Sequence, residues 1–196
     1  MNKGIAIVGN IIVDHVKFID NYPTPGMLTN IRETSKCIGG CAGNTAADIA
    51  KIDPEINVVV LGKVGNDADG EYAKDILSGL GVDINGVVTV NDADTSYTDV
   101  VSDISSNERT FFHSRGANAK FTVNDIDFDR LNVDIFHIGY ALLLDEFDKP
   151  DDEYGTVMAR TLAKVSDLGI KTSIDVVSEA GDRFSSVVTP CLKYCD

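Results

Sequence analysis

The residues best suited to chemistry lie in two short stretches. Asp14 follows the apolar run Gly4-Ile5-Ala6-Ile7-Val8, and Gly39, Gly40, Gly43 and Asn44 sit together between Cys37 and Ala50. A carboxylate just past the end of a strand can accept hydrogen bonds from two hydroxyls of a polyol, and an asparagine amide can both donate and accept toward the same molecule. Three glycines within five residues permit close backbone approach. The small residues after them predict a helix, whose N-terminus offers free N–H groups and a positive dipole end beside the bend. Glycine content alone equally describes a tight turn before a helix packed closely on a sheet. His113 is a further candidate, read either as pointing into a cleft or as a packed surface residue.

The glycine stretch is not a generic nucleotide loop. Gly39-Gly40-Cys41-Ala42-Gly43-Asn44 does not give G-x-G-x-x-G, and around Gly62-Lys63 a Walker loop would need Gly and Ser or Thr where Asn57 and Val64 stand.

It does resemble the first signature of the ribokinase (PfkB) family of carbohydrate and nucleoside kinases, through Gly39-Gly40 and Asn44 with Thr45-Ala46 opening a helix. The resemblance continues in order. Gly9-Asn10-Ile11-Ile12-Val13-Asp14 is similar to the family's first strand and substrate-binding aspartate, and Pro23-Thr24-Pro25-Gly26 to a turn in its lid. Gly65-Asn66-Asp67-Ala68-Asp69-Gly70 resembles its G-x-D-x-x-G. Arg109-Thr110-Phe111-Phe112, Arg115-Gly116-Ala117-Asn118 and Asp134-Ile135-Phe136-His137-Ile138-Gly139 follow in register.

The resemblance implies a ribokinase-like α/β fold with a small β lid. It also implies ATP-dependent phosphorylation of a sugar or nucleoside hydroxyl, with ATP and Mg²⁺ as cofactors of the full-length enzyme. Asp14, Asn44, Gly39 and Gly40 become substrate-site residues, and His113 a lid residue over the cleft. A homodimer, possible through the lid, is also implied. Cys41 departs from the family, many of whose sugar kinases carry a basic residue there. The family's catalytic motif, D-T-x-G-A-G-D, is matched only by Ala180-Gly181-Asp182, with Ser178 and Glu179 at the preceding positions and too early in the fold. Asp182 therefore reads as an ordinary helix-start residue, and no catalytic, ATP-binding or metal residue is assigned in this chain. The expectation is one domain over residues 1–196, with lid segments near 11–37 and 95–115, incomplete at its C-terminus and open at a sheet edge. The alternative is a non-catalytic binding module or fragment without a nucleotide site.

Composition agrees with a soluble, cytoplasmic globular protein. The chain has 196 residues, is 43% hydrophobic and has a mean hydropathy near zero. No apolar run is long enough to cross a bilayer, and Met1-Asn2-Lys3-Gly4 lacks a signal-peptide layout. A net charge of −14 disfavours nucleic acid. The cysteines form two equally spaced pairs, Cys37/Cys41 and Cys191/Cys195. They allow a four-thiolate zinc site, but a glycine bend in one pair and a helical setting for the other favour reduced, partly buried thiols.

The elements alternate. The short apolar run 4–8 reads as a strand buried on both faces, 57–61 and 134–140 as further buried strands, and 82–90 and 170–177 as strands. Strands at 11–19 and 28–37 have one wet side and form an arm, and 95–104 with 108–114 form a hairpin that completes a four-stranded lid. Helices are expected at 42–51, after Asp67 as cap, at 151–168, and at 183–195 with an interruption at Pro190. Such alternation predicts a mostly parallel sheet covered on both faces, with ligands outside the carboxyl ends of its strands.

Overall fold

The structure, a computed structural model, describes residues 4–179 and 181–196. In chain order its elements are β1 (Ile5–Gly9), β2 (Ile12–Ile19), β3 (Ile31–Gly39), α1 (Gly40–Ile52), β4 (Val58–Gly65), α2 (Ala68–Gly79) and β5 (Asp83–Val90). They continue with β6 (Tyr97–Asp103), β7 (Arg109–Ser114), β8 (Ile135–Ala141), β9 (Pro150–Asp151), β10 (Gly155–Thr156), α3 (Val157–Asp167), β11 (Lys171–Val176) and α4 (Phe184–Val187).

A five-stranded sheet in the order β11-β8-β1-β4-β5 forms the body, and every pairing in it is parallel. Successive side chains on a strand point to opposite faces, so a strand buried on both sides must be apolar throughout. β1 meets that demand: Ala6, Ile7 and Val8 are fully buried. Ile7 joins Ala42, Ala46, Ala50, Ala73 and Leu77 beneath α1 and α2. Ala6 and Val8 join Phe136, Ile138, Met158 and Leu162 beneath α3. The alanines of α1 let it lie close on the sheet. No helix among the described residues is long and apolar enough to cross a membrane.

The second sheet has four strands in the order β3-β2-β6-β7. β2 pairs antiparallel with β3 and parallel with β6, and β6 pairs antiparallel with β7. This is the expected arm and hairpin, except that β3 is exposed on both faces from Ile31 to Cys37 rather than wet on one side.

Two boundary expectations need correction. The helix predicted from residue 151 begins at Val157, because the Asp151 carboxylate accepts from the Glu153 and Tyr154 amides and closes a turn between β9 and β10. Thr156 then caps α3, its hydroxyl accepting from the Ala159 amide at 3.1 Å. The helix predicted over 183–195 is split into α4 and a 3₁₀ segment, Thr189–Tyr194, with Pro190 in the latter's first turn. Asp182 precedes α4 without capping it, since Arg183 holds the cap position; Ala180 lies outside the described residues. The edge strand β11 is partly covered, the Thr172 amide donating to the Asp196 carboxylate and the Asp196 amide to the Thr172 carbonyl.

Asp67 fastens the two sheets together. One carboxylate oxygen accepts from the Gly70 amide at 2.8 Å, capping α2, and from the Thr95 hydroxyl at 2.7 Å; the other accepts from the Thr95 amide at 2.7 Å. Burial works against ionisation at Asp67, yet the Thr95 and Gly70 donors outweigh it and hold the carboxyl below its ordinary value. Asp67→Ala should cost about 2–4 kcal/mol in urea unfolding at neutral pH. A carboxyl depressed on folding contributes above its unfolded value and loses that contribution as pH falls through the folded one. The gap between wild type and variant should therefore narrow below about pH 4.

Candidate functional site

β2 leaves the end of β1 through Asn10, and β3 returns the chain to α1 through Gly39 and Gly40. An added Cβ at Gly39 would lie 2.4 Å from Asp14 Oδ2 and 2.8 Å from its Cγ, so the carboxylate rests on the bare glycine backbone. Gly40 has φ +77° and a Cβ there would lie 2.3 Å from the Asn10 carbonyl oxygen. That oxygen accepts from the Ala42 amide at 3.0 Å, which fixes where α1 starts. The glycine bend and Asp14 are thus brought into contact.

Asp14 stands in a cross-strand row. It pairs with Cys37 on β3 and Thr98 on β6, and Thr98 pairs in turn with His113 on β7. The Thr98 hydroxyl lies near the Asp14 carboxylate and favours its ionised form, and its Oγ1 lies 3.0 Å from His113 Nδ1. A carboxylate only accepts, so a Thr98 hydroxyl turned toward Asp14 would accept from an Nδ1–H of His113. Burial, reinforced by the nearby Arg115 charge, pushes His113 down, and its Nε2 is buried without a partner. Burial pushes the Asp14 carboxyl up, against the opposing pulls of Thr98 and His15.

The row borders a cavity of about 610 Å³ between the two sheets, at the carboxyl end of β8 and β11. Asp14, Gly40, Asn44, Thr98, His113 and Tyr140 contribute its polar and backbone surface, and Phe111, Leu142 and Leu143 its apolar surface. The Asn44 side chain lies close to the Tyr140 hydroxyl. Arg115 and Glu179 stand at the rim, ion-paired to Asp145 and Arg183 respectively. Asp14, Gly40, Asn44 and His113 therefore share one cavity, while Gly39 supports Asp14 from behind. Thr98 and Tyr140 were not singled out from sequence. The alternation of residues 95–104 could have flagged Thr98, once the pairing with β2 was known.

The cysteines do not assemble as a four-thiolate set. All four are free; Cys41 lies in the core beneath α1, and Cys191 in the core on the opposite face of the sheet. Burial pushes both buried thiols up, Cys191 to about 11.

Residues 2–189 match the pfkB family of carbohydrate kinases. The chain belongs to this family. Among pfkB relatives, it is 28% identical over 180 residues to the ATP-dependent ribose-1-phosphate kinase of Halopiger xanaduensis, an alignment covering 91% of this chain and 56% of that protein. It is 26% identical over 112 residues to a nucleoside kinase of Methanothermobacter thermautotrophicus, covering 57% of this chain and 36% of the relative. The chain thus spans about half the length of these relatives or less. The ribokinase-like fold is borne out by solved structures. Arabidopsis thaliana ribokinase, in complex with ribose and ATP, superposes with a TM-score of 0.75 at 20% identity, covering 100% of this chain and 59% of that one. Thermotoga maritima ribokinase gives 0.79 at 20% identity, covering 98% and 57%.

Gly40→Ala should lower stability by about 2–4 kcal/mol, because it combines a left-handed φ with a backbone clash. Chemical denaturation of the two proteins measures the difference.

Proposed function

We propose that this chain supplies the acceptor-binding part of an ATP-dependent kinase acting on a sugar hydroxyl, with the four-stranded sheet as its lid. The observation that carries this reading is the Asp14 carboxylate, seated on Gly39 and facing a cavity shared with Asn44. Asp14 would accept from two acceptor hydroxyls while Asn44 donates to a third oxygen, and the Thr98–His113 pair would hold the carboxylate's orientation. Closure of the lid would exclude water, which otherwise competes for the phosphoryl group. The names of the relatives support a carbohydrate or nucleoside acceptor. A nucleoside is favoured as a second acceptor class by Phe111, 62% exposed and lining the cavity, where a base could stack. We further propose a cytoplasmic protein that pairs through its lid.

We place no ATP or Mg²⁺ ligand at this cavity. Arg115, which lines it, is already ion-paired to Asp145, and Asp14 adds negative charge. No step is therefore routed through a nucleotide on this chain's residues, and a binding module without catalysis remains the competing reading.

A thermal-shift screen with pentoses, hexoses, ribose 1-phosphate and nucleosides tests the acceptor site. At least one compound should raise Tm, and Asp14→Ala and Gly39→Ala should each abolish the rise. A panel without any shift, or an unchanged response in Asp14→Ala, would remove the cavity from consideration. Substrate-dependent ADP formation by this chain with ATP and Mg²⁺ would separate an enzyme from a module.

A further inference from the structure

We infer that the chain carries a second site, for a zinc-class divalent cation, formed by Cys41, His137 and Asp175. It does not rest on the kinase reading. Cys41 comes from the first turn of α1, His137 from the middle of β8 and Asp175 from the end of β11. His137 is in register with Ile7 and Ser173, and Ile7 packs beneath α1, so the imidazole faces the helix that carries the thiol. One potential donor atom from each residue lies within 4.8 Å of the other two.

Three features favour a ligand over an ordinary polar cluster. Asp175 Oδ1 is buried without a well-formed hydrogen bond, with only the Cys41 thiol set against it, an arrangement that a cation would resolve. His137 Nδ1 lies 2.8 Å from Ser173 Oγ, which leaves Nε2 as the nitrogen facing Asp175 Oδ2 at 3.7 Å. Orientation of one ring nitrogen by an outer hydrogen bond is how ligating histidines are commonly held. Finally, the thiol and the carboxylate converge over a glycine. A Cβ at Gly139 would lie 1.8 Å from Asp175 Oδ1 and 2.6 Å from Cys41 Sγ, so any larger residue would occupy the space between them.

The donor set is one sulfur, one nitrogen and one oxygen, which suits zinc better than magnesium or calcium. On binding, the Cys41 thiol releases its proton to solvent; thiolate and carboxylate together then neutralise the dication, and the imidazole stays neutral. Bonds of about 2.0–2.3 Å in a tetrahedral site need small side-chain adjustments from the present separations. With three protein ligands, the fourth position falls to a water. The ion would clasp the start of α1 to β8 and β11, directly behind Tyr140 on the cavity wall.

The test uses the whole chain, reduced and stripped with a chelator, then titrated with Zn²⁺ and separately with Co²⁺. One equivalent of each should bind, Zn²⁺ should raise Tm, and the Co²⁺ form should show a thiolate-to-cobalt charge-transfer band. Cys41→Ser and Asp175→Asn should lose the band, while Cys37→Ser and Cys195→Ser keep it. Ser173→Ala should keep the stoichiometry but weaken affinity about 10–100-fold. Failure of the stripped wild type to bind either ion stoichiometrically would overturn the site. So would a band that survives Cys41→Ser or disappears in Cys37→Ser or Cys195→Ser. If Cys41→Ser does not fold, Cys191→Ser is measured as well: bands kept in all three other cysteine variants leave Cys41 as the thiolate, and loss in any of them overturns the site.

Discussion

The space between Gly39 and the Asp14 carboxylate is a steric condition that reaches in both directions along the chain. With no side chain at position 39, β3 can end against β2 at a separation that leaves Asp14 lying on backbone. Because β3 ends there, α1 can begin at Gly40 with its small face on the parallel sheet. The cavity is what remains between the small sheet and the strand ends once those contacts are made. A methyl group at position 39 would move the carboxylate, the strand or the helix, and each forms part of the same opening.

Much of this was legible in the sequence, for identifiable reasons. β1 announced itself as an unbroken apolar run, since a strand covered on both faces of a parallel sheet favours apolar residues at every position. The small sheet was legible through two-residue alternation, and its contact with Asp14 through the glycines. The start of α3 was not, because Tyr154 fits the helical stripe by spacing, while the Asp151 turn that displaces it depends on a local carboxylate-to-amide closure. Nor could sequence bring Thr98 to Asp14, or Cys41 to His137 and Asp175. Those meetings are set by strand order and register, which the spacing of residues along one strand does not encode.

Charge is arranged with similar local logic. A chain of net charge −14 can still keep carboxylates near its cavity when each has a designated neighbour: Asp145 faces Arg115, Glu179 faces Arg183, and Asp14 has the Thr98 hydroxyl. Asp14 differs in having no ion pair among the described residues, with only the Thr98 hydroxyl and the charge of His15 acting on it. Its oxygens are thus left to accept from incoming hydroxyl donors.

The parallel pairing of β2 with β6 has a consequence for the order in which the molecule takes shape. Val13 finds Tyr97 as its partner, so the small sheet cannot close until α1, β4, α2 and β5 have been made and have drawn these distant segments together. Loop-closure entropy sets that sequence of events. On the ribosome, a nascent polypeptide released only as far as β5 would already have much of its parallel body yet no binding cleft. The cleft arrives later still: it needs the hairpin through Ser114 and then the ends of β8 and β11, which bring Tyr140, Leu142 and Glu179 to its wall.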